Sequence, residues 1–439
     1  MLGFLLAANL VAFFLSFSET FMSMPNLLIA LAILLSALIF TVLFRLSGLG
    51  RTISLFLCVL IVSSSFIMGA TIIIGDSVDQ EIGSLEGYRN IKFGQKPNVH
   101  LISFDAMIPE VLSSKHMGLE QLGYSDYLEA ESDIIFKNMF ASQAPSSPSL
   151  NSIMGLANPD FKGSGYFAGR SESPVSYIFK NNGYKLASGF DTYRTFGKPG
   201  SYVDEYRTTY PGSIEYSAIC RFNGPRSNIM RLYGFCHYMP NVLFEPELGQ
   251  DRWHQIVVNT LREKGESTEP WLTFHYYSRP IGHTTVSYNS NSPAEVDKYT
   301  QTFLRRSKQL GDTILPEIVE TIRVNDPASI VFVFGDHGPY LSRSMAISDA
   351  FVFGDHGRSL EQEEEPSEFW VQDRHGVFGA ILATEHPCAS KAIEYYNQEY
   401  STPERVLAGI IRCLSTDPDL IDQVVNFDEQ FEFLKYLYE

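Results

Sequence analysis

One pairing of side chains in this chain suits a hard or borderline cation, and it occurs twice. The heptapeptide FVFGDHG runs from Phe332 to Gly338 and recurs identically from Phe351 to Gly357. In each copy an aspartate stands beside a histidine, and glycines flank the pair. A carboxylate next to an imidazole offers oxygen and nitrogen donors, a combination that fits Zn or Mn. The glycines allow a sharp backbone turn that aims both side chains at one point. Two copies 19 positions apart are too close and too few for a solenoid, so a local duplication is the simplest account. The pairs Asp336–His337 and Asp355–His356 therefore compete for one site. A turn holding a hydrogen-bonded histidine is the reading without chemistry.

Two other places could contribute. Asp105 closes the short apolar run Val99–Phe104, and in open α/β sheets ligands collect beyond the carboxyl ends of strands. Taken alone, such an aspartate serves as readily as a helix cap. Hydroxyls stand in Pro145-Ser146-Ser147-Pro148-Ser149, directly ahead of the helix-like run Leu150–Leu156. A serine there can simply cap the helix. Since a helix N-terminus also favours an anion, it can instead be a nucleophile. A serine at its ordinary pKa is a poor nucleophile, and metal coordination is one way to activate it.

The elements that must hold these residues alternate along the chain. After Val99–Phe104, a helix ends over Ser176–Asn182 with Gly183 as its left-handed cap, and Lys185–Phe190 reads as a strand. Trp271–Tyr277 is an aromatic strand carrying His275, on this reading a core residue or one that supports the site from behind. Tyr299–Val324 is a long amphipathic helix, broken at Asn325-Asp326-Pro327 before a buried strand over Ser329–Phe334. Ser401 and Glu404 form a capping box, with Pro403 in the first turn of a helix through Cys413. Glu361–Glu368 is an acidic exposed loop. Such alternation predicts an α/β domain with helices on both faces of a sheet. The first FVFGDHG copy has the helix, break and strand that a core site needs. The second follows only the polar stretch Leu341–Asp349. Asp336 and His337 thus follow a buried strand, whereas Asp355 and His356 fall in an insertion where His356 would meet substrate, and the choice between the pairs rests on the resemblance given below.

Composition sets the surroundings. Three uncharged apolar stretches, Met1–Phe17, Phe21–Phe44 and Ile53–Gly75, crowd the N-terminus, and the last two are long enough to cross a bilayer. The first lacks a basic residue ahead of it, so it reads as a membrane helix with a clipped start rather than a signal peptide. Residues 1–75 are thus predicted as about three membrane helices, 76–96 as a polar linker and 97–439 as one catalytic domain. Glu19, Arg45 and Arg51 are the only charges before residue 75. Arg45 and Arg51 lie in the loop between the second and third stretches, which places that loop in the cytoplasm and the domain outside it, in the periplasm or beyond a plasma membrane. The net charge of −17 arises in the domain, and an acidic domain excludes a basic nucleic-acid face. Cys220, Cys236, Cys388 and Cys413 lie in the domain. Proximity favours pairing the first two and the last two, among three possible pairings and the alternative of free thiols.

Three blocks, PNVHLISFD, APSSPSLNSIMG and IVFVFGDHG, stand in the order found in the alkaline phosphatase/sulfatase superfamily. SYIFKNNGYKLASGF resembles that family's helix and strand after the nucleophile, and HYYSRPIGHTT its substrate-side histidine block. With membrane helices ahead, the chain resembles the membrane-anchored lipoteichoic acid synthases and phosphoethanolamine or phosphoglycerol transferases. The resemblance implies an alkaline phosphatase-like sandwich, a mixed but mostly parallel sheet covered by helices. It implies one divalent metal, Mn or Zn with Mg or Ca as alternatives, held by Asp105, Ser146, Asp336 and His337, with Ser146 as nucleophile. His283 maps onto the substrate histidine, and Arg374 and His375 onto the margin of the site. The transferases generally use threonine where Ser146 stands. Leu150 replaces the arginine that formylglycine sulfatases carry, and Ala106 a second acid. The implied reaction moves a phosphoryl-linked headgroup from a membrane lipid through a covalent serine, to a lipid or glycan acceptor. A phosphoric- or sulfuric-ester hydrolase, or an inactive scaffold of the same fold, are the alternatives.

Overall fold

The structure, a computed structural model, describes residues 85–117, 121–143, 146–158, 173–191, 202–208, 246–281, 293–339, 368–382, 385–388 and 401–425. The chain divides into two compact units, and nearly all of these residues belong to the second, Ile82–Thr209 with Glu247–Glu439. The stretches read as membrane helices lie outside the described residues, as do His283, the second FVFGDHG copy with Asp355 and His356, and Cys220 and Cys236. Among the described residues, no helix is long and apolar enough to cross a membrane.

The described strands are β1 (Val99–Phe104), β2 (Ser132–Phe140), β3 (Lys185–Phe190), β4 (Glu205–Thr208), β5 (Trp271–Tyr277), β6 (Ile330–Gly335) and β7 (Gly376–Leu382). They form one sheet in the order β2-β7-β6-β1-β5-β3-β4. β6, β1, β5, β3 and β4 run parallel to one another, while β7 is antiparallel to both β6 and β2. The sheet is mixed and mostly parallel, and β1, β5, β6 and β7 are buried along their whole length. Strands buried on both faces read as continuous apolar runs, which is how their sequences look.

The described helices are α1 (Glu110–Met117), α2 (Gly123–Glu131), α3 (Ser146–Met154), α4 (Pro174–Asn181), α5 (Pro246–Gly265), α6 (Pro293–Gln309), α7 (Leu315–Asn325), α8 (Glu368–His375), α9 (Pro403–Leu414) and α10 (Asp419–Val424). Two apolar cores separate them. Leu150 and Ile153 of α3, Ile178 of α4 and Val406 of α9 pack with Leu101, Phe274 and Phe334 on one face of the sheet. Leu128 of α2, Val257 of α5, Phe303 of α6 and Ile318 of α7 pack with Ile102, Tyr277 and Val333 on the other. Alternate residues of each strand thus serve opposite cores, as the period of two requires.

Several boundaries differ from the sequence reading for identifiable reasons. The single helix expected over Tyr299–Val324 is two, joined by a π-helical turn at Leu310–Ile314. Pro316 lies in the first turn of α7 and lacks the N–H that an unbroken helix would need there. The cap of α9 is Thr402, whose side chain accepts from Arg405 N at 3.3 Å. Ser401 instead bridges to Met139 in β2. Residues 85–96, expected as linker, lie against the domain: Tyr88, Ile91 and Phe93 are buried, and Phe93 meets Phe179 edge-on at 5.1 Å. The predicted Cys388–Cys413 disulfide is present, and it ties the segment after β7 to α9.

Candidate metal centre

Parallel neighbours β1 and β6 end side by side, with Phe104 in register with Gly335. Asp105 therefore emerges beside Asp336 and His337 at the carboxyl ends of the strands. Asp336 N bonds back to Phe104 O at 3.3 Å, and Ala106 N donates to Asp336 Oδ1 at 3.2 Å. His337 N donates to the same oxygen at 2.9 Å. Ala106 is left-handed, at φ 56, a conformation that costs a residue with a Cβ roughly 1 kcal/mol or more. Its amide pays that cost back by fixing the Asp336 carboxylate.

The flanking glycines act differently from the sharp turn expected of them. Neither Gly335 nor Gly338 has a positive φ. A Cβ on Gly335 would stand 2.2 Å from Met107 O, and one on Gly338 would stand 2.2 Å from Asp373 O. Both positions exclude a side chain because neighbouring backbone passes directly over them. That contact presses the loop after β1 and the end of α8 against the Asp-His turn.

Asp105, Asp336 and His337 are buried, and one ligand atom from each lies within 4.8 Å of the others. His337 Nε2 stands 3.4 Å from Asp105 Oδ1 and 3.5 Å from Asp336 Oδ2. His337 Nδ1 lies 2.7 Å from Gly338 O, an acceptor, so Nδ1 carries the proton. The Nε2 lone pair then faces the two carboxylates. A backbone carbonyl commonly fixes a metal-ligating histidine in this way. Burial raises the Asp336 carboxyl to about 7, although hydrogen bonds from Ser146 and the Ala106 amide oppose the rise. Two carboxylates sharing one dry site repel unless a proton or a cation lies between them. Hard oxygens with one imidazole nitrogen form a donor set that a divalent ion fits.

The hydroxyl comes from α3, which starts at Ser146 rather than at Leu150 as the sequence suggested. Ser149 Oγ donates to Asp336 O, joining the first turn of α3 to the Asp-His turn. That join sets Ser146 Oγ 2.8 Å from His337 Nε2. Ser142, just upstream, donates to the buried Glu404 of α9 and lies 2.7 Å from Ser152 Oγ. The approach to α3 is therefore held from both sides.

Arg374 and His375, expected at the margin of the site, frame it through their backbone and ring. Arg374 O accepts from Gly338 N at 2.9 Å. His375 Nδ1 lies 2.8 Å from Ala141 O, and its own carbonyl accepts from Ala141 N at 2.7 Å. Burial lowers His375 to about 4, so it is neutral at physiological pH. His275 sits in the other core, edge-on to Trp253 at 6.3 Å, as expected of a core residue.

The sequence reading missed Tyr276. On β5 it faces α3, while His275 and Tyr277 on either side face away. Its hydroxyl lies 3.2 Å from Ser146 Oγ and 3.2 Å from Asp336 Oδ2. Strand alternation was the available signal, since Tyr276 falls on the same face as Phe274 and Leu272. Burial is the main reason its phenol is held well above the usual range, reinforced by the charges of Asp105 and Asp336.

No protein-family model and no curated protein matches the chain. Solved structures do. The chain is similar to the C-terminal periplasmic domain of EptC from Escherichia coli in complex with Zn, at 13% identity, with 73% of this chain and 83% of that one covered and a TM-score of 0.44. It is similar to an alkaline phosphatase superfamily protein from Vibrio parahaemolyticus at 11% identity, covering 73% and 67%, with a TM-score of 0.41. A phosphonate monoester hydrolase from Agrobacterium radiobacter aligns at 12% identity over 75% and 74%, with a TM-score of 0.40.

Proposed function

We propose that the chain is a member of the alkaline phosphatase/sulfatase superfamily that transfers a phosphoryl-linked headgroup from a membrane lipid through Ser146. The observation that carries this reading is the Ser146 hydroxyl, 2.8 Å from His337 Nε2 and set over two buried carboxylates at the ends of parallel strands. Asp105, Asp336 and His337, with Ser146, would hold one divalent ion, Mn or Zn. Bound there, the ion would supply positive charge that acidifies the serine hydroxyl and polarises a phosphoryl oxygen.

The protein's own residues do the rest. His337 is fixed in one tautomer by Gly338 O, and Asp336 by two amides, so neither reorganises during the reaction. Ser146 loses its proton to water, and Oγ attacks phosphorus. The Oγ–P bond forms as the bond from phosphorus to the lipid oxygen breaks, and that oxygen takes up a proton, with His283 proposed as donor. A hydroxyl on a lipid or glycan acceptor then attacks phosphorus from solution. The Oγ–P bond breaks as the acceptor hydroxyl loses its proton to water, and Ser146 Oγ takes a proton from water. The membrane stretches before residue 75 would hold the site near headgroups, with the domain outside the cytoplasm.

The test is mass spectrometry of the Ser146 peptide after the full chain has been incubated with phosphatidylethanolamine vesicles. The reading expects a phosphoethanolamine adduct on Ser146, absent from Ser146→Ala. No adduct on any serine of residues 146–149, with intact metal, would count against it. An adduct on Ser147 would move the nucleophile by one residue. Inorganic phosphate released without an acceptor would make the enzyme a hydrolase.

A further inference from the structure

We infer that Tyr276 is a catalytic residue of this site, a hydrogen-bond donor to the Ser146 oxygen whenever that oxygen bears charge. The inference rests on the nucleophilic role proposed for Ser146. The local hydrogen bonds settle who donates to whom. Asp336 is ringed by donors, with Ala106 N and His337 N on Oδ1, and in the ionised form that a cation requires it only accepts. His337 Nδ1 donates to Gly338 O, so in the neutral ring Nε2 accepts, and the one proton of Ser146 Oγ is taken up on the side of His337 and Asp336. Ser146 Oγ is then left as an acceptor on its Tyr276 side. The phenol proton thus has two acceptors at equal distance, Ser146 Oγ and Asp336 Oδ2, each 3.2 Å away. With Asp336 engaged as a metal ligand, Ser146 Oγ would be the acceptor left to the phenol proton.

The sheet holds this donor rigidly. β5 lies between β1 and β3, and Tyr276 is in register with Ser103 on one side and Phe190 on the other. The ring is buried against Phe190, with centroids 6.3 Å apart, so no rotation is needed to reach the serine. Donors fixed in place before charge develops stabilise a transition state without reorganisation. Charge develops on Ser146 Oγ twice, as the attacking oxygen when Oγ–P forms and as the leaving oxygen when Oγ–P breaks. Tyr276 keeps its proton through both steps, and no bond to the phenol oxygen forms.

The experiment uses the full chain in detergent, loaded with Mn or Zn, with 4-nitrophenyl phosphate as probe. Tyr276→Phe should keep its metal, as measured by mass spectrometry of the elements, and its circular dichroism. Its kcat should fall about 100-fold with KM within about threefold, the loss seen when one such donor is removed. The rate at which the Ser146 peptide acquires phosphate in a quenched mixture should fall by the same factor. Turnover of Tyr276→Phe within about threefold of wild type would overturn the inference, as would loss of its metal, which would make Tyr276 a support for the ligands. A wild-type chain that forms no phosphoserine would bring down the reading of Ser146 and this inference with it. A normal wild type beside an unimpaired Tyr276→Phe would bring down the inference alone.

Discussion

Removing the Cys388–Cys413 disulfide should weaken the domain by a predictable amount and leave the metal centre assembled. The bridge closes a loop of 25 residues in sequence separation. Cross-linking such a loop removes chain entropy from the unfolded state worth about 3.5 kcal/mol at 25 °C, from the logarithmic dependence on loop length. The bridge anchors α9 at its last turn, and α9 in turn packs Val406 and Ile410 into the core that carries α3. None of the ligand residues touches either cysteine through a hydrogen bond described above, so the effect should be on stability. The assay is urea unfolding of Cys388→Ser/Cys413→Ser against wild type, followed by far-ultraviolet circular dichroism. With a urea slope of about 3 kcal/mol/M for a domain of this size, the midpoint should fall by about 1 M at unchanged slope. Wild type treated with reductant should match the double variant. A midpoint shift below about 0.3 M would refute the reasoning, and so would protein from its native source whose Cys388 and Cys413 are free thiols.

Ser146→Ala should lose turnover while its urea midpoint moves by no more than about 1 kcal/mol in free energy, since a hydroxyl at a helix start contributes little more. A variant that unfolds instead would make Ser146 a structural cap. Gly335→Ala places a Cβ 2.2 Å from Met107 O. Thermal melts should show a loss of about 1–3 kcal/mol, and metal titration a weaker site, because the strand end that carries Asp336 must shift. Wild-type values in both would mean that the loop after β1 yields freely. His275 is held at about 3, chiefly by burial and secondarily by the electrostatic influence of His100, Arg207 and Lys264. Its folded pKa lies below the ordinary value, so its contribution is complete above pH 6.5 and is lost as pH falls toward 3. His275→Leu should therefore lose less stability on acidification than wild type, by roughly 1.4 kcal/mol per pH unit below 6.5. Parallel stability curves for the two proteins between pH 6.5 and 4.5 would refute this, because they would mean that folded His275 takes up its proton as the unfolded chain does.

Much of this was legible because short apolar runs ending in turn residues leave little choice. Val99–Phe104, Lys185–Phe190 and Trp271–Tyr277 are strands over the predicted residues, and Gly183 is the left-handed residue after α4, at φ 82. The placement of Asp105 beside Asp336 and His337 was implied by the family resemblance, because one aspartate after a strand serves as readily as a helix cap. What escaped was decided between elements. Nothing local marks β2 and β7 as an antiparallel edge beside β6, because that pairing is set by side chains far apart in sequence. Gly335 and Gly338 looked like turn glycines, but their need comes from Met107 and Asp373 backbone passing overhead. Tyr276 was overshadowed by His275, a residue with more familiar chemistry on the wrong face of the same strand. Pro316 was visible, and the apolar periodicity of the helix around it concealed the break.

The central claim is that Asp336 and His337 of the first FVFGDHG copy hold a metal with Asp105. It is tested most directly by elemental mass spectrometry of the purified full chain beside two variants, His337→Ala and His356→Ala. The account predicts one divalent ion per chain in wild type and in His356→Ala, and none in His337→Ala. Metal retained by His337→Ala and lost from His356→Ala would contradict it and assign the centre to the second copy.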